Sequence, residues 1–110
     1  MRTVILAVVL VAGTAHAELI ECPAKHQNAR LTNAGVYMRE ERVELMGAPK
    51  RVPGGTDADF GFNRGDVKWL ACQYETATVR WYRLSAKATR CELKKRGGPR
   101  GKATVTVLCK

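Results

Sequence analysis

Few side chains here could carry chemistry, and their spacing restricts what that chemistry is. Cys22, Cys72, Cys91 and Cys109 could ligate a metal, act as nucleophiles or pair as disulfides. Their intervals of 50, 19 and 18 residues contain no Cys-x-x-Cys pair, which argues against zinc. His26 could act as a general base and Ser85, the one serine, as a nucleophile. No nucleophile elbow surrounds Ser85, and no partner for His26 is identifiable, so His26 reads as a solvated loop histidine. Glu40 and Glu41, with Glu44, could supply paired carboxylates, but adjacent strand residues face opposite ways and a solvated turn is the better reading. Asp57, Asp59 and Asp66 lack the spacing of a calcium-binding EF-hand loop. A single histidine beyond residue 17 excludes a two-histidine ribonuclease, while a Glu-Arg-His arrangement stays open. No catalytic, cofactor or metal site emerges, and the chain is expected not to be an enzyme.

The N-terminus sets the context for the cysteines. Arg2 gives a positive start, Val4 to Ala12 is an unbroken apolar run, and Ala15-His16-Ala17 fits the small-x-small cleavage pattern of a signal peptide. Nine apolar residues fall short of the roughly 20 that a membrane-spanning helix needs. Residues 1–17 are therefore expected to be a signal peptide and 18–110 one mature domain, periplasmic or secreted, with no transmembrane span. Export to an oxidising compartment makes two disulfides the default reading of four cysteines. A domain this small buries only roughly 60–65% of its unfolded surface and benefits from such cross-links.

The elements that must hold these residues read as strands. Leu19 to Cys22 is a short entering strand halted by Pro23, and Lys25 to Asn33 is a polar loop. Val36 to Met46 suits two short strands with a turn near Glu40-Glu41, although its propensities would also support a helix. Gly47 to Gly65 reads as a long irregular connection. Val67 to Glu75 and Val79 to Leu84 form a central hairpin. If Cys72 is bridged it points inward with Leu70 and Tyr74, which puts Trp69 on the opposite face. The two tryptophans could form a stacking platform for bases or sugars; aromatic core mass is their more ordinary role, and that is the expectation. Ala88 to Lys95 and Ala103 to Cys109 make the last strand pair, with Cys91 and Cys109 placed symmetrically about Arg100. A cross-strand Cys91–Cys109 bridge is geometrically reasonable there and leaves Cys22–Cys72 as the preferred partner bridge. The fold expected is mainly β: a small antiparallel sheet, sandwich or partly open barrel stapled by those two disulfides.

Charge is uneven along this chain. The formal net charge of +9 becomes +8 without Arg2. From Glu18 to Glu75 eight Lys/Arg face nine Asp/Glu, a net of −1, whereas from Thr76 onward ten face Glu92 alone, a net of +9. Five of those cations, Lys94, Lys95, Arg96, Arg100 and Lys102, fall in nine residues with Gly97, Gly98 and Gly101. A solvated hairpin tip that resists edge-to-edge pairing explains this run, and so does an anion-binding finger whose glycines allow backbone approach to phosphate. Arg80, Arg83 and Arg90 would extend the patch.

A signal peptide followed by Cys22-Pro23, Trp69-x-x-Cys72-x-Tyr74, Cys91-Glu92 and Cys109 resembles a family of small exported proteins of Gram-negative bacteria. The resemblance implies a periplasmic, disulfide-bonded, mainly β domain and no particular activity. A fainter similarity is to periplasmic lysozyme inhibitors, whose Ser-Gly-x-x-Tyr segment enters the lysozyme cleft; here Ser85 is followed by Ala86 and no such segment exists. The function expected is an exported binding protein contacting an anionic partner through its basic C-terminal hairpin, with no cofactor. Envelope headgroups or an acidic protein suit that hairpin better than nucleic acid, because no aromatic residue in the loop could stack a base. Inhibition of a cell-wall-degrading enzyme and a purely structural envelope role are the alternatives.

Overall fold

A computed structural model describes residues 17–97 and 102–110; all of the predicted signal peptide except Ala17 lies outside them. The regular structure is β: β1 (Glu18–Glu21), β2 (Lys25–His26), β3 (Ala29–Met38), β4 (Val43–Leu45), β5 (Ala48–Val52), β6 (Gly55–Gly61), β7 (Lys68–Tyr74), β8 (Val79–Arg83), β9 (Arg90–Arg96) and β10 (Thr104–Cys109). They form two antiparallel sheets that do not close into a barrel. One runs β1-β10-β9-β6-β5, the other β2-β3-β7-β8 with β4 added on β3.

Alternation decides which face of each strand is covered. Leu70, Cys72 and Tyr74 of β7 meet Leu93, Val105 and Val107 of the other sheet in one core. Burying each large aliphatic or aromatic side chain contributes roughly 1.5–3 kcal/mol. β3 changes parity midway, because a register shift between Leu31 and Asn33 turns Ala34 and Val36 inward after Leu31. Both expected bridges are present. Cys91 and Cys109 lie directly opposite on β9 and β10, with Cα atoms 4.0 Å apart. Cys22, whose N–H donates to the Val105 carbonyl of the first sheet, bridges Cys72 of the second at a Cα separation of 5.8 Å. The buried Tyr74 hydroxyl donates to the Pro23 carbonyl at 2.8 Å and pins the same junction.

Two expected loops are hairpins instead. The supposed loop from Lys25 to Asn33 holds β2 and the start of β3, joined by Gln27 (φ 50°) and Asn28 (φ 67°). Two left-handed residues between paired strands have the twist that tight hairpins favour. The supposed irregular stretch from Gly47 to Gly65 holds β5 and β6, whose Pro53-Gly54 turn has Gly54 at φ 79°. Proline followed by a left-handed glycine is the type II turn combination. Val36 to Met46 is two strands, as expected, with the turn at Arg39 to Arg42.

The tryptophans depart from expectation. Neither enters the core, which is built from aliphatic side chains, the disulfides, Phe60 and Tyr74. Both are half-buried and lie on the outer face of the second sheet, where they roof the fully buried Ala71. The inward end of β7 is taken by Lys68, a fully buried lysine.

Candidate binding surfaces

The cationic run that dominates the C-terminal third is divided by strand alternation. Lys94 and Arg96 face outward from β9, and Lys95 faces the interior side with Leu93. Lys95 Nζ donates to Asn33 Oδ1 at 2.8 Å, and burial holds its pKa below the usual lysine range. Arg96 Nη1 donates to Asp57 Oδ1 at 2.7 Å and to the Thr56 carbonyl at 3.2 Å. That hydrogen bond, with the guanidinium charge behind it, lowers the Asp57 pKa. Lys94 stays exposed, with Glu92 3.9 Å away. Lys102 is exposed, and Arg100 lies outside the described residues.

Two cations join this end from the part of the sequence that is acidic overall. Antiparallel pairing puts Lys50 opposite Asp57, which is in turn opposite Lys94; Arg51 is opposite Thr56, next to Lys95. The Gly97 N–H donates to the Gly54 carbonyl at 3.0 Å, so the two hairpins reach the same end of the sheet. A basic end with Lys50, Arg51, Lys94 and Lys102 results, crossed by the Arg96–Asp57 pair. The remaining cations of the expected patch are elsewhere. Arg90 is at the far end of β9, roughly 20 Å along the strand, and pairs with Asp59 at 3.7 Å. Arg80 and Arg83 belong to β8 of the other sheet, where Arg80 lies over the Tyr82 ring.

A second surface, which sequence reasoning assigned to core, occupies the outer face of β3, β7 and β8. Trp69 and Trp81 meet edge-to-face with centroids 6.3 Å apart, and Tyr37 meets Trp81 in the same way at 5.0 Å. Arg42 Cζ lies 4.6 Å from the Trp69 ring centre and 4.4 Å from that of Trp81, and Arg83 Cζ is 4.9 Å from Trp69. An exposed cation–aromatic contact contributes roughly 0.5–1 kcal/mol. The β3–β4 turn makes this placement. Its Arg39 N–H donates to the Val67 carbonyl at 2.8 Å, and the Trp69 indole N–H donates to the Arg39 carbonyl at 3.0 Å. Arg39 (φ 73°) and Arg42 (φ 59°) both adopt the left-handed conformation. Such backbone costs about 1 kcal/mol per residue and persists where surrounding contacts fix it. Burial and the nearby Glu44 charge raise the Tyr37 pKa.

The candidate chemical groups are not assembled. Ser85 follows the end of β8, where its carbonyl accepts from Lys68; His26 packs against Tyr74 at a centroid distance of 5.6 Å. Lys68 and Tyr74 are the two ends of β7, so Ser85 and His26 are separated by roughly 20 Å. Glu40 and Glu41 sit in the β3–β4 turn near Arg83 and Arg39 respectively, and Glu44 is opposite Tyr37. Asp57 and Asp59 are paired with arginines, and Asp66 accepts the Asn63 N–H at 2.8 Å. Among the described residues no group of three His, Cys, Asp or Glu could hold a metal ion. No helix among the described residues is long and apolar enough to cross a membrane.

Lys68, Lys50, Arg51 and Arg42 were not legible as site residues. Lys68 had a signal, since it is two residues before the inward Leu70; Lys50 and Arg51 needed the Pro53-Gly54 turn to be read as a hairpin. No family model matches this chain, and no curated protein or solved structure matches it either. Its two disulfides suit an oxidising environment.

Proposed function

We propose that the mature protein is an exported, non-catalytic binding module that attaches to an anionic component of the cell envelope through its basic end. The observation that carries this reading is the convergence of two hairpins, β5–β6 and β9–β10, at one end of the sheet. It puts Lys50 across Asp57 from Lys94 on the outer face, Arg51 across Thr56 from Lys95 on the other face, and Lys102 beside Gly97 near the strand ends. Clustered like charge in excess of its neighbouring carboxylates, here Asp57 and Glu92, attracts polyanions and steers their approach. Lys95 and Arg96 act here as supports: one is tied to Asn33, the other to Asp57. The two disulfides suit an oxidising compartment, and the apolar run from Val4 to Ala12 supports reading that compartment as the periplasm or the cell exterior.

Binding of this kind weakens steeply with salt. Oxidised mature protein is expected to bind anionic vesicles in sedimentation assays at low ionic strength and to release them at high ionic strength. Replacing Lys50, Arg51, Lys94 and Lys102 together with glutamine is expected to reduce that affinity by about tenfold or more and to flatten its salt dependence. Unchanged vesicle binding by this variant would refute the proposal.

A further inference from the structure

We infer that Arg42, whose guanidinium lies against both Trp69 and Trp81, is the recognition group of a second binding site, whose ligand is a carboxylate-bearing sugar residue of a glycan chain. The site is separate from the basic end: it belongs to the other sheet and to its outward face. Three features support it. The Arg42 guanidinium carbon lies 4.6 and 4.4 Å from the two indole ring centres, so the charge is held at the aromatic surface while the side chain stays exposed. Among the described residues no carboxylate lies within 4.0 Å of it, whereas Arg39 and Arg83 on either side are engaged with Glu41 and Glu40. Its position is also fixed in advance, because the left-handed turn that carries it is tied down by the Trp69 indole.

A planar guanidinium fork matches a carboxylate, which accepts two parallel hydrogen bonds from it. The surroundings select the rest of the ligand. Tyr37, Trp69 and Trp81 are half-exposed, so each offers apolar ring surface beside the charge. Gln73 and Glu44 border the same face with amide and carboxylate groups. A sugar ring has an apolar C–H face and a rim of hydroxyls, and it fits such a mixture. The platform lies on the outer face of the sheet with its three rings half-exposed, an arrangement that suits an internal unit of a chain.

The test uses the fluorescence of Trp69 and Trp81, the only two tryptophans and both at the site. The oxidised protein is titrated with an oligogalacturonate, with a neutral maltooligosaccharide of equal length and with phosphatidylglycerol vesicles. The oligogalacturonate is expected to change the indole emission and the neutral sugar to leave it unaltered. Arg42→Lys, which keeps the charge and loses the fork, is expected to bind the oligogalacturonate about tenfold more weakly. The glutamine variant of Lys50, Arg51, Lys94 and Lys102 is expected to show the same indole response as the unaltered protein, because the basic end carries no tryptophan. That last comparison separates this site from the proposed function. Arg42 is exposed in a turn, so near-ultraviolet circular dichroism should show native packing in the Arg42→Lys protein. The inference is overturned if Arg42→Lys binds as well as the original, if the neutral sugar binds equally, or if only the vesicles give an Arg42-dependent change.

Discussion

Lys68 is the one buried charged side chain among the described residues. It is fully buried, and its ammonium donates to the Asp66 and Ser85 carbonyls, both at 2.9 Å, while lying over the Phe62 ring. Those bonds join the loop before β7 to the loop after β8, so a single cation closes one end of the sheet. Burial lowers its pKa from the ordinary 10.5, more than the nearby Asp66 and Glu18 charges raise it. A lysine with a lowered folded-state pKa loses its proton first in the folded protein. Between that lowered value and 10.5 the unfolded chain therefore binds more protons, and stability rises with pH across the interval. Lys68→Met should diminish this rise, to which Lys95 also contributes, and, because two carbonyls lose their donor, reduce stability at neutral pH by about 1–3 kcal/mol. Urea unfolding of both proteins at neutral pH and near pH 10 checks both effects. A rise of equal size in the methionine variant would assign the pH dependence to another group.

At the scale of elements, turn chemistry explains both what was legible and what was missed. The central hairpin was read within a residue or two because Leu70, Cys72 and Tyr74 alternate with less apolar neighbours. The last pair was read from Val105 and Val107 and from the symmetry of its cysteines. β5 and β6 were missed because Ala48 to Val52 buries almost nothing and has no apolar alternation to detect. The local signal is the Pro53-Gly54 pair, which reads as turn chemistry, but the residues before it carry no alternation to mark a strand that the turn would join. β2 was missed for the same reason, since two residues closed by Gln27-Asn28 are too short to show a period. The indoles were misassigned because ring size suggests core, whereas the pleat that turns Cys72 inward turns Trp69 outward. The β5–β6 turn allows a direct check. A Cβ at Gly54 would touch nothing, but its φ of 79° is left-handed, so Gly54→Ala should cost about 1 kcal/mol from backbone strain alone. A Cβ at Gly55 would collide with the Lys95 carbonyl on β9. Gly55→Ala should therefore lower the thermal midpoint more, by separating β6 from β9. It should also weaken vesicle binding, because the same contact brings the two basic hairpins together.

Over the whole molecule, folding rearranges a charge division that looks decisive along the chain. The acidic residues Asp57 and Asp59 of the first two-thirds come to lie on arginines of the last third, and Lys50 and Arg51 move the other way, to the basic end. The surface field is thus a property of strand order. The two disulfides also have unequal tasks in holding that order. Cys91 and Cys109 are already aligned by a ladder of six residue pairs between β9 and β10, and their bridge closes a separation of only 18 residues. Cys22 and Cys72 join opposite sheets and close a separation of 50 residues. Loop-closure entropy alone makes the longer cross-link worth about 1 kcal/mol more, and each bridge contributes roughly 2–4 kcal/mol. Replacing Cys22 and Cys72 together with alanine should therefore lower the urea midpoint further than replacing Cys91 and Cys109. The first variant should also loosen the contact of Tyr74 with Pro23, whose hydrogen bond depends on the sheets staying in register. Hydrogen exchange at the Tyr74 and Cys22 amides, which donate to the Thr78 and Val105 carbonyls, reports that loosening directly. If the Cys91/Cys109 variant proves the less stable of the two, the sheets are held together by their apolar core alone, and the Cys22–Cys72 bridge is secondary to it.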